Sequence, residues 1–353
     1  MSDKPDPKHG GLVPTENCSL TTRSSALVRR GLEALASQEG RVVHFPADRS
    51  LGVLYTRNWT EDFYGRWVEV GEARGNIAVL SGKELKLKVS ESTSTDVAPL
   101  TLLQPKDLDA LDLSHTDISD AGLERIKGLT GLRELDLAAT KITNTGLGHL
   151  RDLTKLQKLT LWRTQVSDDG LLHLRELTEL RWLNLSFCRV GDPGLCHLQG
   201  LTKLAWLGVL STQIGDEGML NLRPLAKLEE LWISDTDISN VGLGSLRTAT
   251  SLKKLYASKT RISNPGLAEL QRLISLETLW LNETIVSDAG LVYLQPLVKL
   301  KALHLRETQV SDAGLAYLQK LINLERLNLV GTLVSDGGAA SLQAALPKCS
   351  ITR

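Results

Sequence analysis

Residues 300–323 read LKALHLRETQVSDAGLAYLQKLIN, and this stretch decides how most of the chain folds. Leu303 and Leu305 alternate, which places them together on one face of a short strand. Thr308 sits in the turn that follows, and Val310 returns an apolar side chain to the same interior. Asp312 is predicted as a helix N-cap, its carboxylate accepting the orphan N–H groups of the next turn. Leu315, Leu318 and Leu321 then recur every three residues as the apolar stripe of a short helix. The unit is strand, turn, helix.

The unit repeats without insertion or deletion. Leu stands at 108, 132, 156, 180, 204, 228, 252, 276, 300 and 324, in steps of 24 residues. Ten units therefore cover 108–347. No unit can bury its apolar face alone, but stacked units bury a continuous core. Parallel strands stack at ~4.8 Å, so ten give an inner edge of roughly 48 Å. Helices need more width than strands, so the stack must curve. The expected fold is α/β, a right-handed horseshoe solenoid with a parallel concave sheet and convex helices.

Outside the repeats the reading is coarser. Residues 1–23 are rich in Pro and Gly and are expected to be a disordered tail. Residues 24–107 are expected to form a small mixed α/β cap domain. It opens with a helix at 24–38 and continues with β-rich runs at 41–45, 52–57, 66–70 and 76–80. Leu87 and Val89 precede Leu111 and Leu113 by 24 residues, which marks an imperfect first unit at about 84–107. Trp59 and Trp67 read as core residues of this cap. The last unit has Ala339 and Ala345 where others have Leu, and 348–353 is expected to be a closing strand.

Composition excludes several classes. The chain of 353 residues has 41 basic and 41 acidic side chains, so it lacks the surplus charge of a nucleic-acid binder. Leu accounts for 70 residues, yet no apolar run approaches the ~18–20 needed to cross a bilayer. The opening MSDKPDPKHGGLVPTENC has Pro and acids where an export signal needs basic and then apolar residues. Four scattered cysteines fit a reducing, cytoplasmic setting better than a disulfide framework.

The LxxLxLxxT…SDxGLxxLxxL units resemble leucine-rich repeats. They are most similar to the ribonuclease-inhibitor-like and cysteine-containing subtypes that also occur in F-box proteins, and to bacterial proteins with T-x-I-T-D-x-G-L repeats. The position that usually holds Asn or Cys is Thr here, as at Thr116, Thr140, Thr164 and Thr308, and only Cys188 retains Cys. The resemblance implies a protein-binding scaffold.

Specificity in such an array is expected from strand residues that point away from the core. Trp182 and Trp206 lie two residues after the repeat Leu, and Trp232, Tyr256, Trp280 and His304 lie four after it. Trp162, Arg163 and Phe187 follow in the sixth and seventh columns. All five Trp of 108–347 fall in these columns. A contiguous exposed aromatic stripe marks an interaction site, and Trp, Tyr and Arg dominate binding hot spots. Trp162, Arg163, Trp182, Trp206, Trp232, Tyr256, Trp280 and His304 are therefore the candidate ligand-binding residues. The plain alternative is that the rings only stack on one another and stabilise the sheet. Asp112, Glu134 and Asp136 make the N-terminal end of the stripe acidic, while Arg306 and Arg326 stand at the other.

No catalytic or cofactor motif of the G-x-S-x-G, P-loop, H-E-x-x-H or C-x-x-C kind is present. His149, His173 and His197 share one column beside Cys196, but duplication explains a shared column without a metal. The Asp and Asn of the S-D-x-G-L turns read as helix caps rather than calcium ligands. The expected function is non-enzymatic binding of a protein or peptide, with no cofactor, metal, nucleic acid or membrane. The alternatives are an F-box-like substrate receptor for degradation, carbohydrate binding, and self-association.

Overall fold

The computed structural model describes residues 40–58, 65–90 and 96–353. The tail expected at 1–23, the helix expected at 24–38 and Trp59 lie outside them. Eleven three-residue strands recur at 24-residue intervals, from β6 (Ala110–Asp112) to β16 (Ser350–Thr352). Each pairs in parallel with the next, residue for residue, as in Leu231 with Leu255 and Leu255 with Leu279. The ladder continues past each strand: Leu137 N–H donates to Thr160 O at 2.9 Å and Ala139 N–H to Trp162 O at 2.7 Å.

The first strands are β1 (Arg41–His44), β2 (Gly52–Asn58), β3 (Val68–Glu72), β4 (Asn76–Val79) and β5 (Lys83–Val89). The sheet gains β5 through Leu87 and Leu111, at the 24-residue offset the sequence carries. On its other edge β5 pairs antiparallel with β2, and β2 with β3, giving fourteen strands in all. Strands β1 and β4 form a separate two-stranded sheet.

The core follows the repeat. In one coil Leu183, Leu185, Val190, Leu195, Leu198 and Leu201 are all completely buried, and the equivalents in neighbouring coils stack above and below them. The convex element is shorter than a helix of several turns. Asp312–Leu315 makes one α turn and Ala316–Leu318 one 3-10 turn. A Leu spacing of three suits a helix of about three residues per turn better than one of about 3.6.

The recurrent acid of the turn does a different job from the one its position predicts. Ser311 is the N-cap of its helix, and its hydroxyl accepts from Ala313 N–H at 3.3 Å. The Asp312 carboxylate crosses to the next coil, where it accepts from Ser335 N–H at 2.8 Å and Ser335 Oγ at 2.5 Å. Asp120 with Thr143, Asn144 with Ser167, and Asp216 with Ser239 repeat this link. The reason is proximity: stacking brings the next coil's free N–H against the carboxylate. Thr308 and its counterparts do not form an inter-coil ladder. Thr308 Oγ1 donates to Leu305 O at 2.6 Å within its own turn. Cys188 differs, its Sγ donating to Leu161 O of the preceding coil at 3.0 Å.

Ten of the eleven three-residue strands, all but the last, leave the sheet through a residue in the left-handed region. His115, Ala139, Arg163, Phe187, Ser211, Asp235, Lys259, Glu283 and Glu307 have φ of 51–60°, and Gly331 is the tenth. Ladder hydrogen bonds hold these turns, for example Phe187 N–H to Leu210 O at 2.9 Å. Trp67 is not the core residue the sequence implied. It is half-exposed on the sheet edge, with the Arg57 guanidinium 4.2 Å from its ring centre.

Candidate functional site

The two aromatic columns of the sequence join into one ribbon. Trp182 and Trp206 are direct neighbours, as are Trp232, Tyr256, Trp280 and His304. The crossing between columns occurs at Gly208. A Cβ there would lie 2.6 Å from Trp206 Cη2, so only glycine leaves room for the indole to lie across its own strand. Trp206 thereby reaches Trp232.

Consecutive ring centres from Trp182 to His304 are 4.6, 5.7, 4.5, 4.9 and 4.5 Å apart. Their planes are inclined by 75, 48, 44, 71 and 33°. Tilted and edge-to-face pairs suit the aromatic quadrupole better than flat stacking. All six rings are half-buried, each covering part of its neighbour.

Polar groups pin parts of the ribbon. Trp232 Nε1 donates to Glu230 Oε1 at 2.7 Å, and Lys254 pairs with Glu230 at 2.9 Å. Lys158 Nζ stands 3.8 Å from the Trp182 ring centre, and burial pushes its ammonium pKa down. Trp182 Nε1 is buried and has no acceptor among the described residues. Burial, then the Arg326 charge, lowers the His304 pKa, which favours a neutral imidazole.

Trp162 and Arg163 belong to a second, smaller cluster. Trp162 meets Phe187 edge-on at 5.9 Å and His115 at 6.3 Å. The Arg163 guanidinium lies 5.1 Å from Trp162 and 5.7 Å from Phe187. Among the described residues no ring contact joins Trp162 to Trp182. The sequence carried a signal for Phe187 and His115, since they share the turn column of Arg163.

The N-terminal end of the sheet is not the acidic edge its carboxylates implied. Arg57 binds Glu84 and Glu134, each at 2.5 Å, and Lys86 pairs with Asp112 at 2.8 Å. These cations come from strands ahead of the first full repeat, where column reading did not extend. Asp136 accepts from Ala138 N–H at 2.9 Å, and burial, reinforced by Asp112, raises its pKa. At the other end Arg306 pairs with Glu307 at 2.6 Å, and exposed Arg326 has no ion pair among the described residues.

The histidine column holds hydrogen bonds. Arg151 Nη2 is 2.7 Å from His173 Nδ1, and Arg175 Nη2 is 2.6 Å from His197 Nδ1. Burial, then the facing arginine, lowers both imidazole pKa values. Among the described residues no group of three His, Cys, Asp or Glu is placed to hold a metal ion.

The thiols give a direct prediction. Burial pushes Cys349 up to about 11 and also raises Cys188, while Cys196 is exposed. At pH 8 a thiol of that pKa is thiolate about one part in a thousand. Of these three thiols, iodoacetamide at pH 8 should modify Cys196 first and reach Cys188 and Cys349 only on unfolding, read by peptide mass spectrometry of native and urea-treated protein. Because both buried thiols are raised, their contribution to stability is present below the ordinary thiol range. It is lost as pH rises from there toward 11.

Residues 106–127 and 176–195 match the leucine-rich repeat family model. No curated protein matches the chain in sequence. Among solved structures, an internalin (InlF) from Listeria monocytogenes aligns at TM-score 0.61 and 23% identity, over 76% of this chain and 86% of that one. A TDR receptor aligns at TM-score 0.53 and 19% identity, over 74% of this chain and 49% of that one. Internalin C2 (InlC2), also from Listeria monocytogenes, aligns at TM-score 0.50 and 23% identity, over 61% and 92%. Among the described residues no helix is long and apolar enough to cross a membrane. At these identities the likeness concerns architecture, and the architecture is that of a leucine-rich-repeat solenoid.

Proposed function

We propose that the chain is a non-enzymatic scaffold that binds a protein or peptide across the ribbon from Trp182 to His304. The observation that carries this reading is continuity. Six rings in six successive coils touch without a break, on the sheet face opposite the leucine core. At ~4.8 Å per coil the ribbon spans about 24 Å. Stacking alone would stabilise the sheet equally well with rings kept in one column, but here the ribbon changes columns and keeps its contact through Gly208. Trp162 and Arg163 flank it as a secondary contact.

The inclination of the rings counts against carbohydrate or nucleobase platforms, which need flat faces presented to the ligand. The repeat subtype we assign is the ribonuclease-inhibitor-like, cysteine-containing one; the inter-coil bond of Cys188 supports it, while Thr holds the same position in units such as those of Thr116 and Thr308. A reducing, cytoplasmic setting is supported by Cys188, Cys196 and Cys349, which form no disulfide among the described residues.

The test is the double variant Trp232→Ala, Trp280→Ala, compared with wild type as bait in host lysate. Affinity for the captured protein should fall by at least ~2 kcal/mol, about thirtyfold. Unchanged affinity in a double variant that melts cooperatively would remove the ribbon from the binding site.

A further inference from the structure

We infer that the partner segment laid on the ribbon is an uncharged, proline-rich stretch in the polyproline II conformation. The inference rests on the binding role proposed above and deepens it. Its first support is length matching. Polyproline II advances about 3.1 Å per residue, so the same edge returns every ~9.3 Å. Two coils of the sheet span ~9.6 Å. A ligand edge therefore meets every second ring and drifts by less than about 1 Å over the whole ribbon. An extended β-type peptide repeats its face every ~6.7 Å, and a helix every ~5.4 Å. Against one or two coil spacings each of these falls out of step by about 2 Å or more along the ribbon.

Charge gives the second support. Along the central ribbon Glu230 and Lys254 neutralise one another, and the next positions of that column are Thr278 and Ala302, while Lys158 and Arg326 stand beyond its two ends. An uncharged segment fits this central stretch without leaving a charge desolvated.

The third support is hydrogen bonding. A surface of contiguous rings offers a peptide N–H no good acceptor, and a proline-rich backbone has almost no N–H to leave unpaired there.

The full chain is titrated with four probes while indole fluorescence is followed: a proline decapeptide, a (Gly-Ser)5 decapeptide, a (Val-Thr)5 decapeptide and cellohexaose. The expected result is saturable binding of the proline decapeptide, at least tenfold tighter than the other three. The Trp232→Ala, Trp280→Ala variant should weaken it at least tenfold. Should that variant not fold, Trp280→Leu keeps apolar volume and is expected to cost at least threefold. Equal or tighter binding of (Val-Thr)5, lost in the same variant, would overturn the proline assignment and leave the ribbon a peptide site. Tighter binding of cellohexaose would overturn both readings. No response to the proline decapeptide at 1 mM would overturn the assignment, and the lysate capture would then judge the broader role separately.

Discussion

Replacing Arg57 by leucine should lower the unfolding free energy at pH 7 by about 3–5 kcal/mol, the cost of leaving buried charges unpaired. Arg57 lies on β2 and reaches both Glu84 on β5 and Glu134, 77 residues away in the second full repeat. Its side chain is 7% exposed, and those of Glu84 and Glu134 are 4% and 11% exposed. Without the guanidinium two carboxylates remain unpaired in a largely buried site. Burial already raises the Glu84 pKa, and Arg57 works against that rise. In the variant the Glu84 carboxyl should therefore titrate further above the ordinary range. Groups raised on folding stabilise at low pH and lose that contribution as pH climbs through their folded values. The deficit should be largest at pH 7 and shrink toward pH 5. Urea melts at the two pH values measure it. Adding Glu84→Gln and Glu134→Gln to Arg57→Leu should recover most of the loss, because neutral amides pack without an uncompensated charge. An equal deficit at both pH values with no recovery would mean that Arg57 acts through packing alone.

The second large effect is expected at Gly242. A Cβ there would sit 2.5 Å from Asp216 Oδ1 and 2.9 Å from Ile238 Cγ2. Its N–H also donates to Asp216 Oδ1 at 2.8 Å. Gly242→Val must therefore push the Asp216 carboxylate off Ser239 N–H and Ser239 Oγ, which it holds at 2.8 and 2.5 Å. Charge-assisted bonds and forced overpacking together are expected to cost about 3 kcal/mol. Because coils touch only their neighbours, damage in a central coil weakens the joint between two otherwise intact blocks. The thermal melt should broaden or split in two, in contrast to the single transition expected of wild type. Asp216→Ala breaks the same joint. The double variant should then cost clearly less than the two singles added. Full additivity would show that the glycine serves some purpose other than admitting the carboxylate.

The repeat made the architecture legible before any coordinates. Leu303, Leu305 and Val310 fall where alternation and turn spacing put them, because side-chain burial in a stacked coil depends on position within the unit alone. What the sequence concealed were contacts between units. Asp312 looks like a cap from its own neighbours, and only stacking reveals that its acceptor oxygens serve Ser335. Likewise Trp206 and Trp232 sit in different columns, and nothing in either column says that an indole can cross a glycine to close the gap. The acidic edge read from Asp112 and Glu134 failed for a related reason. Its counter-charges, Arg57 and Lys86, come from strands that precede the regular register.

The left-handed column holds eight residue types in nine non-glycine coils, from Ala139 to Phe187 and Lys259. Inter-coil hydrogen bonds keep that backbone angle, so the side chain there is released from any duty to the turn. Such a position resembles movable type. A letter can be reset in one coil while the frame, and the letters on either side, stay locked. Surface chemistry along this edge can thus drift quickly through evolution, or be rewritten by design, at little risk to the scaffold beneath.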